Sequence, residues 1–159
     1  MIALLGGPEA LEVREAPDPQ PQRGQLRVRV RAVGVNFADI LMRMGLYPGA
    51  PPVPFSPGYE VSGVVDAVGA ETAAWRPGDK VIVMTKFGGY ADTLLVPADQ
   101  ALRLPEGRSF AAGAAFIVNY LTAYEALVEQ GHLRRGGRVL INGAAGGVGI
   151  AATQIAKIF

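Results

Sequence analysis

The sequence predicts an α/β chain with a β-rich N-terminal part and, at its end, the opening βα unit of a dinucleotide-binding domain. Three observations carry that expectation. Apolar and charged residues alternate with period 2 through Gln25 to Val35. Short apolar runs are punctuated by 21 glycines and 12 prolines, with no low-complexity block. From Arg138 to Lys157 the order is aliphatic run, glycine-rich turn, alanine-rich helix.

Composition narrows the function. Apolar residues are 50% of the 159 and charged residues 18%, far from the balance that keeps a chain unfolded. A net charge of +1 lacks the positive field that phosphate backbones demand, so no nucleic-acid partner is expected. Absence of cysteine removes disulfides, thiol nucleophiles and thiolate metal sites, and the single histidine, His132, leaves little scope for metal catalysis. The longest apolar run, Ala111 to Val118, is far below the roughly 20 residues of a membrane helix. No basic segment precedes an apolar one at the start. The expectation is a soluble cytoplasmic protein without a membrane span.

The elements follow in order. Met1 to Leu5 and Leu11 to Arg14 flank Gly6-Gly7-Pro8 and read as a hairpin. In the strand from Gln25, Leu26, Val28, Val30 and Ala32 face a core, while Arg27, Arg29 and Arg31 form a solvated face with no aromatic platform for bases. A short helix spans Phe37 to Met44. Strands at Glu60 to Val68, Lys80 to Met84 and Ala91 to Val96 are separated by Arg76-Pro77-Gly78-Asp79 and Gly88-Gly89. Ser109 caps a helix over Ala111 to Val118, and a second helix from Leu121 to Gln130 stops at Gly131. His132 follows, as a surface or helix-end residue. No fixed repeat runs through the chain.

Arg138 to Ile141 reads as a strand, followed by Gly143-Ala144-Ala145-Gly146-Gly147-Val148-Gly149 and a helix from Ile150. In such a unit, glycines let the backbone approach a pyrophosphate and the helix N-terminus offers free N–H groups. The spacing here is Gly143-x-x-Gly146-x-x-Gly149, not G-x-G-x-x-G, and turns of this kind also arise from packing alone.

Taken with Val35-Asn36-Phe37-Ala38-Asp39-Ile40, Gly45-Leu46-Tyr47-Pro48, Pro57-Gly58-Tyr59-Glu60, Pro77-Gly78-Asp79-Lys80-Val81 and Asn119-Tyr120-Leu121-Thr122-Ala123-Tyr124, this loop resembles the medium-chain dehydrogenase/reductase superfamily. The similarity is to its zinc-independent quinone oxidoreductase branch and covers nearly the whole chain. The resemblance implies a GroES-like β-barrel catalytic domain over residues 1–115 and the start of a Rossmann nucleotide-binding domain over 116–159. Zinc-dependent members place cysteine where Asn36 stands and histidine where Tyr59 stands, so no metal is expected here.

The implied chemistry is hydride transfer from NADPH, with NADH left open, to a quinone or a conjugated enone. Tyr47 resembles a tyrosine that related enoyl reductases hold near substrate, and it reads equally as a rim residue with its hydroxyl in water. Asn36 is the second implied catalytic residue, able to donate its amide to substrate or nicotinamide. Asp39 orients Asn36 or caps the short helix. Asn119 and Thr122 fall where the family brings a helix against the cofactor, although a mid-helix threonine also packs in cores. With Asn36 and the loop residues Gly143, Ala144, Gly146, Gly147, Val148 and Gly149, they form the implied cofactor set. Glu60 and Asp79 are expected to shape the fold, and Met42, Met44 and Trp75 to pack. One strand, one turn and one helix make an incomplete dinucleotide domain, so a fragment of a longer enzyme is expected, inactive on its own, and a homodimer. The alternative is a non-catalytic structural or binding protein of the same fold, crystallin-like or vesicle-associated, or an inactive fragment.

Overall fold

The alternating segment becomes β1 (Gln25–Gly34), the strand around which the N-terminal part is built, in a computed structural model that describes residues 1–159. Leu26 and Val28 are fully buried and Arg29 and Arg31 exposed, whereas Arg27, expected on the solvated face, has a side chain only 15% exposed in its ion pair with Asp66. β1 pairs antiparallel with β2 (Glu60–Val68) on one side and with β4 (Thr93–Pro97) on the other; β3 (Lys80–Met84) and β5 (Ala101–Arg103) continue from β2. The order is therefore β4-β1-β2-β3-β5.

That order forces curvature. Four interstrand spacings of about 4.8 Å would part β4 from β5 by roughly 19 Å in a flat sheet. Only a three-residue helical turn, Ala98–Gln100, joins them, and four Cα steps reach about 14 Å at most. The sheet must curl to bring its edges together, as the expected barrel requires. Its interior holds Leu26, Val28, Val61, Val65, Val81, Val83, Leu94, Val96 and Ala101, with Trp75 packed at the margin.

A bulge in β2 explains the arginine face. Arg27 pairs with Ala67 and Val28 with Val65, so Asp66 is the extra residue. Its carboxylate accepts from Arg27 Nε at 2.8 Å and Arg29 Nε at 2.9 Å. A second irregularity at Arg31 shifts the phase, leaving Val30 and Ala32 half-buried.

Several expectations are corrected. The N-terminal hairpin is reduced to one antiparallel bridge, Ile2 to Leu11, with the Glu12 N–H on the Met1 carbonyl at 2.8 Å and the Ala3 N–H on the Ala10 carbonyl at 3.2 Å. Pro8–Ala10 makes a 3-10 turn between the arms, and Ile2, which also bridges Phe55, is the one residue of the first arm whose side chain reaches a core, with Met42 and Phe55. Met44 does not pack; it follows the last turn of α1 (Phe37–Arg43) and is 49% exposed. The strand expected at Ala91 begins at Thr93, and β5 escaped the reading, being three residues long.

The chain divides into two units, Met1–Ala114 and Ala115–Phe159. Ser109 Oγ caps α2 (Phe110–Ala114) by accepting the Ala112 N–H at 3.1 Å. The two expected helices are present with the break moved to residues 115–116: α3 (Ile117–Tyr124) runs on as a wider π-helical turn, Glu125–Gln130. Counted across that break, Phe110–Gln130 is 21 residues, long and apolar enough by length and composition to cross a membrane. His132 is exposed with φ 47°. In the second unit Ala123, Ala151, Ala152 and Ile155 pack α3 on α4 (Gly147–Ala156). Arg138 to Ile141 is not a strand: this unit has no second strand to complete a ladder, and Leu140 is 88% exposed.

Candidate functional site

The loop after β1 carries Asn36, whose extended backbone starts α1. Asp39, in the first turn, accepts the Asn36 N–H at 2.8 Å, so the expected orienting and capping role is what the carboxylate performs. Asp39 does more. It is 5% exposed, and it also accepts the Gly58 N–H at 3.1 Å and the Tyr90 hydroxyl at 3.1 Å. One buried carboxylate thus ties α1 to the segments before β2 and β4. Gly58 has φ 109°, and a Cβ there would strike Tyr90, so this approach requires glycine.

Asn36 Nδ2 donates to Glu60 Oε1 at 3.1 Å. Glu60 is 2% exposed at the start of β2, as befits a fold determinant, and it fixes the Asn36 amide. Asp79 accepts the Arg76 N–H at 3.0 Å and pairs with Arg103, again structural.

Tyr47 is half-buried on the loop after α1, and its oxygen accepts a hydrogen bond from the Tyr59 hydroxyl at 2.9 Å. Burial first, then the bond to Tyr47, push the Tyr59 phenol well above its ordinary value. Burial and the neighbouring Asp39 charge do the same to Tyr90. Both stay protonated donors at neutral pH. Beside Asn36 and Tyr47, the apolar Val35, Phe37 and Leu46 are 73%, 72% and 62% exposed.

In the second unit, the glycine turn leads into α4. Gly143 has φ 66°, a Cβ on Gly147 would meet the Asn119 amide, and one on Gly149 would overlap the Gly143 carbonyl and Ala144 backbone. Each of these three glycines has a reason inside the unit. Gly146 has none: it is exposed, and a Cβ there meets only the Gly143 oxygen at an ordinary 3.4 Å. Its bare backbone leaves room outside the turn, where the first N–H groups of α4 lack helical acceptors. The turn therefore fits a phosphate-bearing ligand.

Asn119 Nδ2 donates to the Ala115 carbonyl at 2.9 Å, holding the amide beside Gly147. Ala144 and Val148 lie in or next to the turn and are exposed, as is Thr122, which does not pack in a core. The structure thus brings Asn119 together with the loop, and Asn36 with Asp39 and Glu60. The sequence reading missed Tyr90 and the part of Tyr59, whose spacing from Tyr47 carries no local signal.

The alcohol dehydrogenase GroES-like domain model matches residues 22–106, more than half of the chain. The mouse "Synaptic vesicle membrane protein VAT-1 homolog" is 46% identical over 147 residues, which is 92% of this chain and 36% of that protein. The quinone oxidoreductase of Thermus thermophilus, solved also with NADPH, superposes with a TM-score of 0.86 at 42% identity, covering 98% of this chain and 48% of its own. The CurK enoyl reductase gives a TM-score of 0.92 at 30% identity, covering 99% and 50%. The chain thus spans between about a third and a half of these relatives. On the strength of the matched domain and these likenesses, the chain belongs to the alcohol dehydrogenase GroES-like domain family, within the medium-chain dehydrogenase/reductase superfamily.

Proposed function

We propose that this chain serves a zinc-independent, NADPH-dependent oxidoreductase acting on quinones or conjugated enones. The observation that carries the reading is the Gly143–Gly149 turn, where Gly146 stands bare at the head of α4 without a packing reason of its own. The NADPH complex of the Thermus neighbour supports the choice of coenzyme.

When bound, the nicotinamide supplies a hydride. The N–H groups of Gly147 and Val148 hold the pyrophosphate, Gly143, Ala144, Gly146 and Gly149 shape the turn, the Gly146 N–H closing it onto the Gly143 carbonyl at 3.0 Å, and Asn119 and Thr122 complete the cofactor set. Asn36, aimed by Glu60, offers its amide to substrate or nicotinamide. Tyr47 donates to the acceptor's carbonyl oxygen and stabilises the negative charge that develops there. Val35, Phe37 and Leu46 give an apolar surround suited to a planar, weakly polar acceptor. Zinc independence is supported by the donors present: an Asn36 amide and a Tyr59 phenol are poor zinc ligands, and no three His, Asp or Glu side chains gather. The reading includes a cytoplasmic protein without membrane span or nucleic-acid partner, and a homodimer, for which exposed Leu140 and Ile158 supply apolar surface.

A second reading, a vesicle-associated protein without turnover, is favoured by the 46% identity to the vesicle protein homolog and the apolar segment Phe110–Gln130. Titration with NADPH and NADH by nicotinamide fluorescence, followed by a quinone and enone screen, separates the two. Binding with turnover supports the enzyme. A folded protein that binds neither nucleotide and cosediments with vesicles supports the alternative.

A further inference from the structure

We propose that Tyr59 is a positioning residue that aims the Tyr47 hydroxyl at the acceptor. The inference rests on the reading of Tyr47 as substrate-side donor and adds the group that makes it one. A phenol has a single proton and must direct it somewhere. Because Tyr59 donates to the Tyr47 oxygen at 2.9 Å, that side of Tyr47 is an acceptor, and its own proton points elsewhere. A phenol that accepts a hydrogen bond is also a stronger donor.

The two tyrosines are held unequally. Tyr59 immediately precedes β2, and its carbonyl accepts the Thr85 N–H at 2.7 Å. The preceding Gly58 is clamped by Asp39 at 3.1 Å and by the buried Thr85 hydroxyl at 2.6 Å. The Tyr59 ring leans on Phe87, with centroids 6.2 Å apart, and meets Tyr47 edge to face at 6.1 Å. Tyr47 lies on the loop after α1, which Leu46 N–H ties back to Leu41 at 2.8 Å and Ala50 N–H closes onto the Tyr47 carbonyl at 3.3 Å. The sheet-anchored phenol thus sets the direction of the loop-borne one. The strongly raised ionisation of Tyr59 keeps it a donor throughout the neutral range.

The test is a double-mutant cycle in the full protein, reading enone turnover at saturating NADPH. Tyr59→Phe keeps the ring on Phe87 and deletes only the donor, so kcat should fall about 3- to 10-fold with KM nearly unchanged. If Tyr59 acts through Tyr47, the Tyr47→Phe/Tyr59→Phe pair is no slower than Tyr47→Phe alone. Effects that multiply, or an unchanged Tyr59→Phe beside a slow Tyr47→Phe, overturn the proposal. Wild-type turnover by Tyr47→Phe overturns instead the reading beneath it. A second measurement avoids Tyr59→Phe altogether. In protein carrying 13Cζ-labelled tyrosine, Tyr47→Phe should shift the Tyr59 Cζ resonance at neutral pH, and an unmoved resonance shows that the bond is absent in solution and sinks the idea.

Discussion

The Asn119 amide oxygen lies 2.5 Å from the place that a Cβ on Gly147 would take. Helix α3 and the head of α4 therefore meet where one of them must lack a side chain. Asn119 can swing away, so Gly147→Ala should cost about 1 kcal/mol, the worth of the lost bond to the Ala115 carbonyl. Gly149→Ala meets fixed backbone at Gly143 and Ala144 and should cost more, about 2–3 kcal/mol. Urea unfolding of the full protein checks the ranking, and the reverse order would refute this packing.

Gly146 should behave oppositely to its neighbours. Gly146→Val fits within the unit, since only the Gly143 oxygen is near, so the melting temperature should hold. NADPH affinity should fall tenfold or more, about 1.4 kcal/mol. Unchanged affinity in a folded variant removes this turn from the cofactor site.

Tyr47→Phe deletes a donor and keeps the ring against Tyr59. Turnover on a conjugated enone should drop about 10- to 1000-fold, the range for lost acid or oxyanion donors. NADPH affinity should barely change. Quinones can take their protons from water and should suffer less. Equal, undiminished rates on both acceptors would assign Tyr47 to the rim.

Asp39→Asn leaves one acceptor oxygen for three donors, from Asn36, Gly58 and Tyr90. Stability should fall by about 2–3 kcal/mol, as for buried hydrogen bonds to a charge. Tyr90→Phe alone removes one of the three and should cost about 1 kcal/mol. Guanidinium unfolding measures both, and a neutral Asp39→Asn would show that the carboxylate is not the hub.

Acid should weaken the strand pair β1–β2. Burial works to raise the Asp66 pKa, but the bonds from Arg27 and Arg29 outweigh it and hold the carboxylate below its ordinary 3.8. The folded state then binds fewer protons than the unfolded chain. This contribution is whole above pH 3.8 and is lost as pH falls through the lower folded value. Asp66→Asn should lose stability at neutral pH and show a flatter acid limb. An identical acid limb in variant and parent would place the dependence elsewhere.

The parts of this protein legible in its sequence are those in which cause and effect lie within a few residues. Alternation in β1 placed Leu26 and Val28 inside, Asp39 was read three residues from the Asn36 it orients, and the glycine spacing marked the turn before α4. Two corrections came from the same source. The Met1 to Leu5 pattern could not show that only Ile2 finds a core, and Arg138 to Ile141 has a strand's composition without a partner, because a ladder is a property of two segments.

By itself, then, the sequence determined the inward residues at the start of β1, the caps of α1 and α2, the turn before α4, the lack of thiolate ligands, and the motif set that resembles a reductase family. Only the tertiary structure decided that Asp66 bulges onto two arginines, that Asp39 gathers Gly58 and Tyr90, and that Tyr59 donates to Tyr47. The physical reason is range. Periodicity and capping act over one turn or one pleat, whereas Asp39 and Tyr90 are 51 residues apart and meet only after the sheet has set their distance. Burial, which keeps Tyr59 a donor and makes Asp39 worth satisfying three times, belongs to the folded chain and to no segment of it.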